Sequence, residues 1–152
     1  MKNVDALEKF QCKFCVNELK LYDTGVWTWS LRPDQPTLGS SIISLNRHAQ
    51  CLSSINADEM GELAELIKVV EGTLKASFNY DILNYLMLMM VDNHVHYHVI
   101  PRYEIVRDFG GVLWVDNGWP QLPVISDCQY KDDKLMLNSI YNTLKDNLKV
   151  YS

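Results

Sequence analysis

No apolar run in this 152-residue chain approaches a membrane span. The longest, Leu86 to Val91, is far too short to cross a bilayer. The first ten residues lack the apolar h-region of an export signal. Positive charge is scarce as well: 14 Lys and Arg against 19 Asp and Glu leave a net charge of −5 and a pI near 5.3. That balance argues against nucleic acid polymers and anionic membranes as main partners, while a small anion held by a local site stays open. Cysteine is limited to Cys12, Cys15, Cys51 and Cys128. Without an export signal these read as reduced thiols or metal ligands, not as a disulfide framework. Internal repeats and low-complexity segments are absent. What remains is an ordinary globular composition, 47% hydrophobic and 22% charged, in a length that fits one domain, 1–152, with a real core. The expectation is a soluble cytoplasmic protein.

Regular elements follow from periodicity. Asp5 to Phe10 fits a short helical turn. Leu19 to Tyr22 and Val26 to Leu31 read as two strands separated by Gly25, because β-branched and aromatic residues alternate there with polar ones. Arg32-Pro33-Asp34-Gln35-Pro36 is a loop, and Leu38 to Leu45 a further strand. Asn56 followed by Glu59 is a capping-box signal for a long helix ending near Phe78, with Asn79 as its stop. Its apolar stripe reads Met60, Leu63, Leu66, Ile67, Val70, Leu74 and Phe78. Ile82 to Val91 reads as a continuous apolar strand, central in the sheet, with Met87 to Met90 in the core. Asp92-Asn93 reads as a two-residue turn into a returning strand, His94 to Tyr103. Residues 105–126 read as irregular and long for a connection. Lys131 to Val150 closes the chain as an amphipathic helix with Leu135, Ile140, Leu144 and Leu148 on its stripe. The fold class is therefore α+β: an antiparallel sheet of about five strands, a long covering helix and a C-terminal helix.

All four histidines are His48, His94, His96 and His98, so three fall within five residues. Alternation with Val95, Tyr97 and Val99 puts the three imidazoles on one face of a strand and the apolar residues on the other. Three rings that titrate near neutrality are costly in a core, so the pattern asks for chemistry. A neutral imidazole is a good nucleophile toward phosphorus when its remote nitrogen is held by an acceptor.

His94-Val95-His96-Tyr97-His98-Val99-Ile100 resembles the signature of the histidine triad (HIT) family, and Pro101-Arg102-Tyr103 resembles the continuation common in bacterial members. Asn46-Arg47-His48 after an Ile-rich strand resembles the strand-end segment of the same family, so the similarity covers about residues 12 to 103. The resemblance implies that His96 attacks the α-phosphate of a nucleotide and carries a transient nucleotidyl group. It implies that His98 binds the phosphate or donates toward it, with Asn93 and Asn46 as further substrate contacts. Dinucleoside polyphosphates and nucleoside phosphoramidates are the implied substrates, and a twofold homodimer the implied assembly. Many members carry a longer stretch before the triad than Asp92-Asn93; Ile105 to Trp119 is the candidate replacement for its contacts.

Cys12-x-x-Cys15, His48 and His94 can be read as a closed tetrahedral zinc set, two thiolates and two imidazoles. Zinc-bearing HIT proteins resemble this order of ligands, which implies a structural zinc. A second reading, of another class, is a zinc-stabilised nucleotide-binding module with little turnover. The aromatics Phe109, Trp114 and Trp119 read as loop packing against the C-terminal helix, with a lid over the site as the functional alternative.

Overall fold

A computed structural model describes residues 2–150. The elements run α1 (Lys2–Lys13), β1 (Lys20–Asp23), β2 (Trp27–Leu31), β3 (Ser41–Leu45), α2 (Ala57–Phe78), β4 (Ile82–Leu86), β5 (His96–Arg102), β6 (Arg107–Phe109), β7 (Val112–Trp114) and α3 (Lys134–Asp146). The first five strands form one antiparallel sheet in the order β1-β2-β3-β5-β4. This is the α+β architecture expected from the sequence, with α2 as its covering helix.

The two faces of the sheet follow from alternation. Trp27, Trp29 and Leu31 share one face with Ile43, Leu45 and Val99 and pack with Leu63, Leu66, Val70 and Leu74 of α2 and Ile140 and Leu144 of α3. Burying indoles demands partners for their N–H groups. Trp27 Nε1 donates to the Glu59 carbonyl and Trp29 Nε1 to Ser41 Oγ, each at 2.8 Å. The opposite face carries Thr28, Ser30, Ile42, Ser44, His96 and His98, which the strand register aligns in rows.

Helix α2 begins at the expected capping box: Asn56 accepts from the Glu59 amide, and Glu59 accepts from the Asn56 amide. It ends where Asn79 turns left-handed at φ 50°. Its buried stripe includes Val69 and Thr73, whereas Met60 is 43% exposed. In α3 the buried residues are Met136, Ile140 and Leu144, and Leu135 points to solvent.

Three expectations need correction. The strand after α2 stops at Leu86 and lies at the sheet edge, so Met90 is 93% exposed and not core. The tight Asp92-Asn93 hairpin does not form, and β5 begins only at His96. The Val95 amide donates to the Ala49 carbonyl and the Val95 carbonyl accepts from the Leu45 amide, so the residue before β5 bonds toward the β3 side, while the β4–β5 ladder ends at the Leu86–His98 pair. Residues 105–114, expected to be irregular, form the β6–β7 hairpin, closed by Gly110 and Gly111 at φ 67° and 77°, a conformation glycine adopts without strain.

Arg102, at the end of β5, is buried with Asp116: its Nε donates to Asp116 Oδ2 at 2.7 Å, and Nη1 donates to Asn84 Oδ1 at 2.7 Å. Removing one partner of a buried pair strands the other charge. Asp116→Ala should therefore lower unfolding stability by about 3–5 kcal/mol, read from the urea midpoint at constant slope. Among the described residues no helix is long and apolar enough to cross a membrane.

Candidate active site

His96 and His98 stand at the start of β5 and His94 two residues before it; all three are buried, His96 completely. His96 Nδ1 lies 2.5 Å from the His94 carbonyl oxygen. A carbonyl can only accept, so Nδ1 carries the proton and Nε2 of the neutral ring keeps its lone pair. His96 Nε2 lies 3.2 Å from His98 Nε2. Since the first is an acceptor, the second must be the N–H donor, and His98 Nδ1 is then a bare acceptor; it is buried without a partner. The backbone thus fixes one tautomer after another along the row. The result is a bare lone pair at His96 Nε2 with an N–H donor beside it.

His94 has another task. Its Nε2 donates to the Leu45 carbonyl at 2.8 Å, and its Nδ1 accepts from the Ala49 amide at 3.4 Å. The ring ties the end of β3 to the segment that leads into the triad, which sets the position of His96 two residues on.

The histidine face is covered. Phe10 and Phe14, from the end of α1 and just beyond it, form a small apolar cluster with Val16 and Ile42. The Phe10 ring centroid lies 5.1 Å from that of His94 and 4.8 Å from that of His96. Phe14 lies 5.7 Å from His98. Lys13 Nζ pairs with Asp92 at 2.7 Å, tying α1 to the segment before the triad. Two surface cavities lie elsewhere, one beside Gln35, Trp114 and Met136, the other beside Asn84, Arg102 and Trp119. Exposed ion pairs contribute at most about 1 kcal/mol. Lys13→Ala should therefore speed amide exchange in α1 by no more than about fivefold, and a larger change would mean that the pair dominates the docking.

Burial under the phenyl rings sets the protonation state. It pushes His98 down to about 3 and His94 down to about 4, and it lowers His96 as well. For His98 the Arg32 charge acts in the same direction. For His96 the hydrogen bond to the His94 carbonyl and the charge of Asp92 oppose the shift, without reversing it. All three rings are therefore neutral at pH 7, as a nucleophile requires. The sign for stability follows. With folded values below 6.5, the unfolded chain binds more protons below that pH, so stability is complete above 6.5 and falls as the pH drops toward 4. At pH 5 each of the His94 and His98 rings should cost roughly 2 kcal/mol relative to pH 7.5, seen as a lower urea midpoint.

The other expected site residues fall in different places. Asn46 shares the histidine face but is bonded to Thr28 Oγ1 at 2.6 Å and Asp23 Oδ1 at 3.0 Å. Asn93 is exposed in the segment before the triad. The zinc quartet is not assembled. His48 stacks on His94, ring centroids 5.4 Å apart, but both His94 nitrogens are taken by backbone groups. Cys12 is exposed, and Cys15 itself takes a left-handed backbone at φ 51°. Among the described residues no group of three or more His, Cys, Asp or Glu is placed to hold a metal. The donor set as arranged does not fit a zinc ion. The aromatics of 105–119 pack away from the triad: Phe109 meets Phe78 of α2 edge-on at 5.3 Å, and Trp114 meets Tyr130 at 4.8 Å.

Two features escaped the sequence reading. Phe10 and Phe14, four apart at and just beyond the end of α1, which runs over Lys2–Lys13 where the sequence predicts a single turn, cover the site. Arg32, read as a loop residue, is buried on the same face as Ser30. The alternation Thr28, Ser30, Arg32 carries that signal once β2 is known to reach Leu31.

Comparison with known proteins bears on the fold and on the segment that holds the triad. Residues 36–105 match the family model described as the HIT domain. The chain is similar in structure to a histidine triad protein from Sinorhizobium meliloti, at TM-score 0.68 and 17% identity over 88% of this chain and 93% of that one. A histidine triad protein from Bradyrhizobium japonicum gives 0.67 and 19% over 89% and 95%. A zinc-bound histidine triad family protein from Mycobacterium smegmatis gives 0.57 and 16% over 84% of each chain. No curated protein matches the sequence. The protein thus has the histidine triad fold, and over residues 36–105, where the triad lies, it matches the HIT domain.

Proposed function

We propose that the protein is a nucleotide hydrolase or nucleotidyl transferase that works through a covalent intermediate on His96. The observation that carries this reading is the tautomer chain: His94 carbonyl to His96 Nδ1–H, leaving His96 Nε2 bare next to the His98 N–H. In the first step the Nε2 lone pair attacks the α-phosphorus, an N–P bond forms, and the P–O or P–N bond to the leaving group breaks with its electron pair on the departing atom, which, where it is nitrogen, takes up a proton from solvent and leaves as the amine. His98 turns its N–H from His96 to a phosphate oxygen, where negative charge builds up. In the second step water attacks phosphorus, the N–P bond breaks, its pair returns to Nε2, and the nucleoside monophosphate leaves; the water proton passes to solvent. Dinucleoside polyphosphates and nucleoside phosphoramidates are the substrate classes. Asn93 and Asn46 are proposed as substrate contacts at the two ends of the face.

Turnover requires Phe10 and Phe14 to leave the histidine face, because their rings occupy the space in front of it. The alternative, nucleotide binding with little turnover, has this cover as its support. A labelled adenylyl donor separates the two: consumption of donor supports catalysis, and binding without consumption supports the module.

Because Cys12, Cys15, His48 and His94 are not brought together, no step is assigned to a metal. Metal analysis of protein purified without added metal decides the point. One zinc per chain that is lost in Cys12→Ser with Cys15→Ser would show that the N-terminal segment adopts another arrangement to bring the four residues together. We take the assembly to be a twofold dimer through the β4 edge and the segment that follows it, where Ile82 of the strand and Leu88, Met90 and Val91 beyond it are exposed. Sedimentation velocity tests it: Met90→Glu with Val91→Glu should convert a dimer to a monomer.

A further inference from the structure

The most unusual charge in the molecule is Arg32. It is 8% exposed, and its Nε and Nη1 are buried without a hydrogen-bond partner. Among the described residues its side chain makes neither a hydrogen bond nor an ion pair. The other buried arginine, Arg102, contrasts with it: that guanidinium is engaged by Asp116, Asn84 and the Gln121 carbonyl. An unpaired buried charge is among the costliest arrangements a fold can hold, and a guanidinium stays protonated under any ordinary condition. Nearby Asp34 and Asp92 stabilise the Arg32 charge only through space.

Its position gives the charge a use. Arg32 follows Thr28 and Ser30 in alternation, on the face of the triad. Ser30 pairs with Ile42, which pairs with His98, so one row crosses the sheet from Ser30 over Ile42 to His98. Ser30 Oγ is also buried without a partner. The row spans two strand spacings, roughly 10 Å, which a long arginine side chain partly bridges. Phe14, clustered with Ile42 and with its ring centroid 5.7 Å from that of His98, covers this row.

We propose that Arg32, with Ser30 Oγ, is a binding subsite for a second phosphate group of the substrate, next to the one attacked by His96. Resting on the reading of His96 as nucleophile, this narrows the substrate to a nucleotide with a further phosphate besides the scissile one. Arginine meets phosphate with charge-assisted hydrogen bonds that an uncharged leaving group cannot replace. The second phosphate has two sources, the bridge of a dinucleoside polyphosphate or a phosphate on the ribose, and the test separates them.

Three donors are compared at one ionic strength: a dinucleoside polyphosphate, an adenosine phosphoramidate with an uncharged amine, and the same phosphoramidate with a 2′- or 3′-phosphate. The value of kcat/KM for each doubly phosphorylated donor is divided by that for the plain phosphoramidate. In Arg32→Gln the ratio for the true source should fall at least about tenfold, and Arg32→Lys should restore part of it. A fall for the polyphosphate alone assigns the bridge, and a fall for the ribose phosphate alone assigns the ribose. Ratios unchanged in both overturn the subsite. A binding readout accompanies this and needs no turnover: inorganic pyrophosphate should shift the Arg32 Nε–H resonance of the wild type and bind at least about tenfold more weakly to Arg32→Gln. Equal affinity in the two proteins, or no shift, overturns the proposal. If no donor reacts, the catalytic reading fails, while the pyrophosphate titration still decides the subsite.

Discussion

His96→Ala is expected to reduce donor hydrolysis by at least about 10³-fold, because it removes the nitrogen whose lone pair stands next to an N–H donor on a ring held at its remote nitrogen by a carbonyl. His98→Ala should cost less, about 10²-fold, the size of one positioned proton donor. The ordering is the informative part. If His98 contributed the nucleophile, the order would reverse. His98 lacks any acceptor at Nδ1, so nothing raises its basicity; burial and the Arg32 charge both lower it. Single-turnover rates with wild-type melting temperatures as a folding check distinguish the two assignments.

Phe10→Ala is expected to act with the opposite sign. The Phe10 ring covers both His94 and His96, and cluster membership with Phe14, Val16 and Ile42 is its main anchorage. Truncating a buried phenylalanine costs about 3–5 kcal/mol. Here the cluster is separate from the main core, so the loss should fall on the docking of α1 and leave the sheet folded. A site that must open before it binds has its affinity reduced by the open fraction. Removing the cover should raise kcat/KM at least about tenfold, and amide exchange in α1 should rise by a similar factor. Water reaching the imidazoles should also move the His96 titration back up toward 6.5, since burial is the first cause of its depression. Faster exchange in α1 together with slower turnover would show that Phe10 serves the bound substrate and does not obstruct it.

Much of the site was legible in the sequence because it rests on local alternation. His94, His96 and His98 needed only the period of a strand to be placed on one face, and Asn56 with Glu59 needed only the geometry of a helix start. The parts that were not legible depend on what packs over what. Leu86 to Val91 is apolar enough for a central strand, yet β4 ends at Leu86 and is the last strand of the sheet, with β5 its one ladder partner among the described residues. Cys12, Cys15, His48 and His94 stand in a ligand-like order along the chain. Only the fold shows that His94 spends both nitrogens on the Leu45 carbonyl and the Ala49 amide. Phe10 and Phe14 look like ordinary helix residues until the sheet face beneath them is known. Arg32 is hidden in the sequence by the prolines around it, Pro33 and Pro36, which read as loop.

The most direct test of the account is the mass of the protein during turnover. Mixed with an adenylyl donor, quenched in cold neutral or alkaline denaturant within the first turnover, and digested, the protein should carry one adenylyl group on the peptide that contains His96. Fragmentation should place the group on that ring, and His96→Ala should carry none. Complete donor consumption with no adduct at any quench time, or an adduct on His98, would contradict the mechanism.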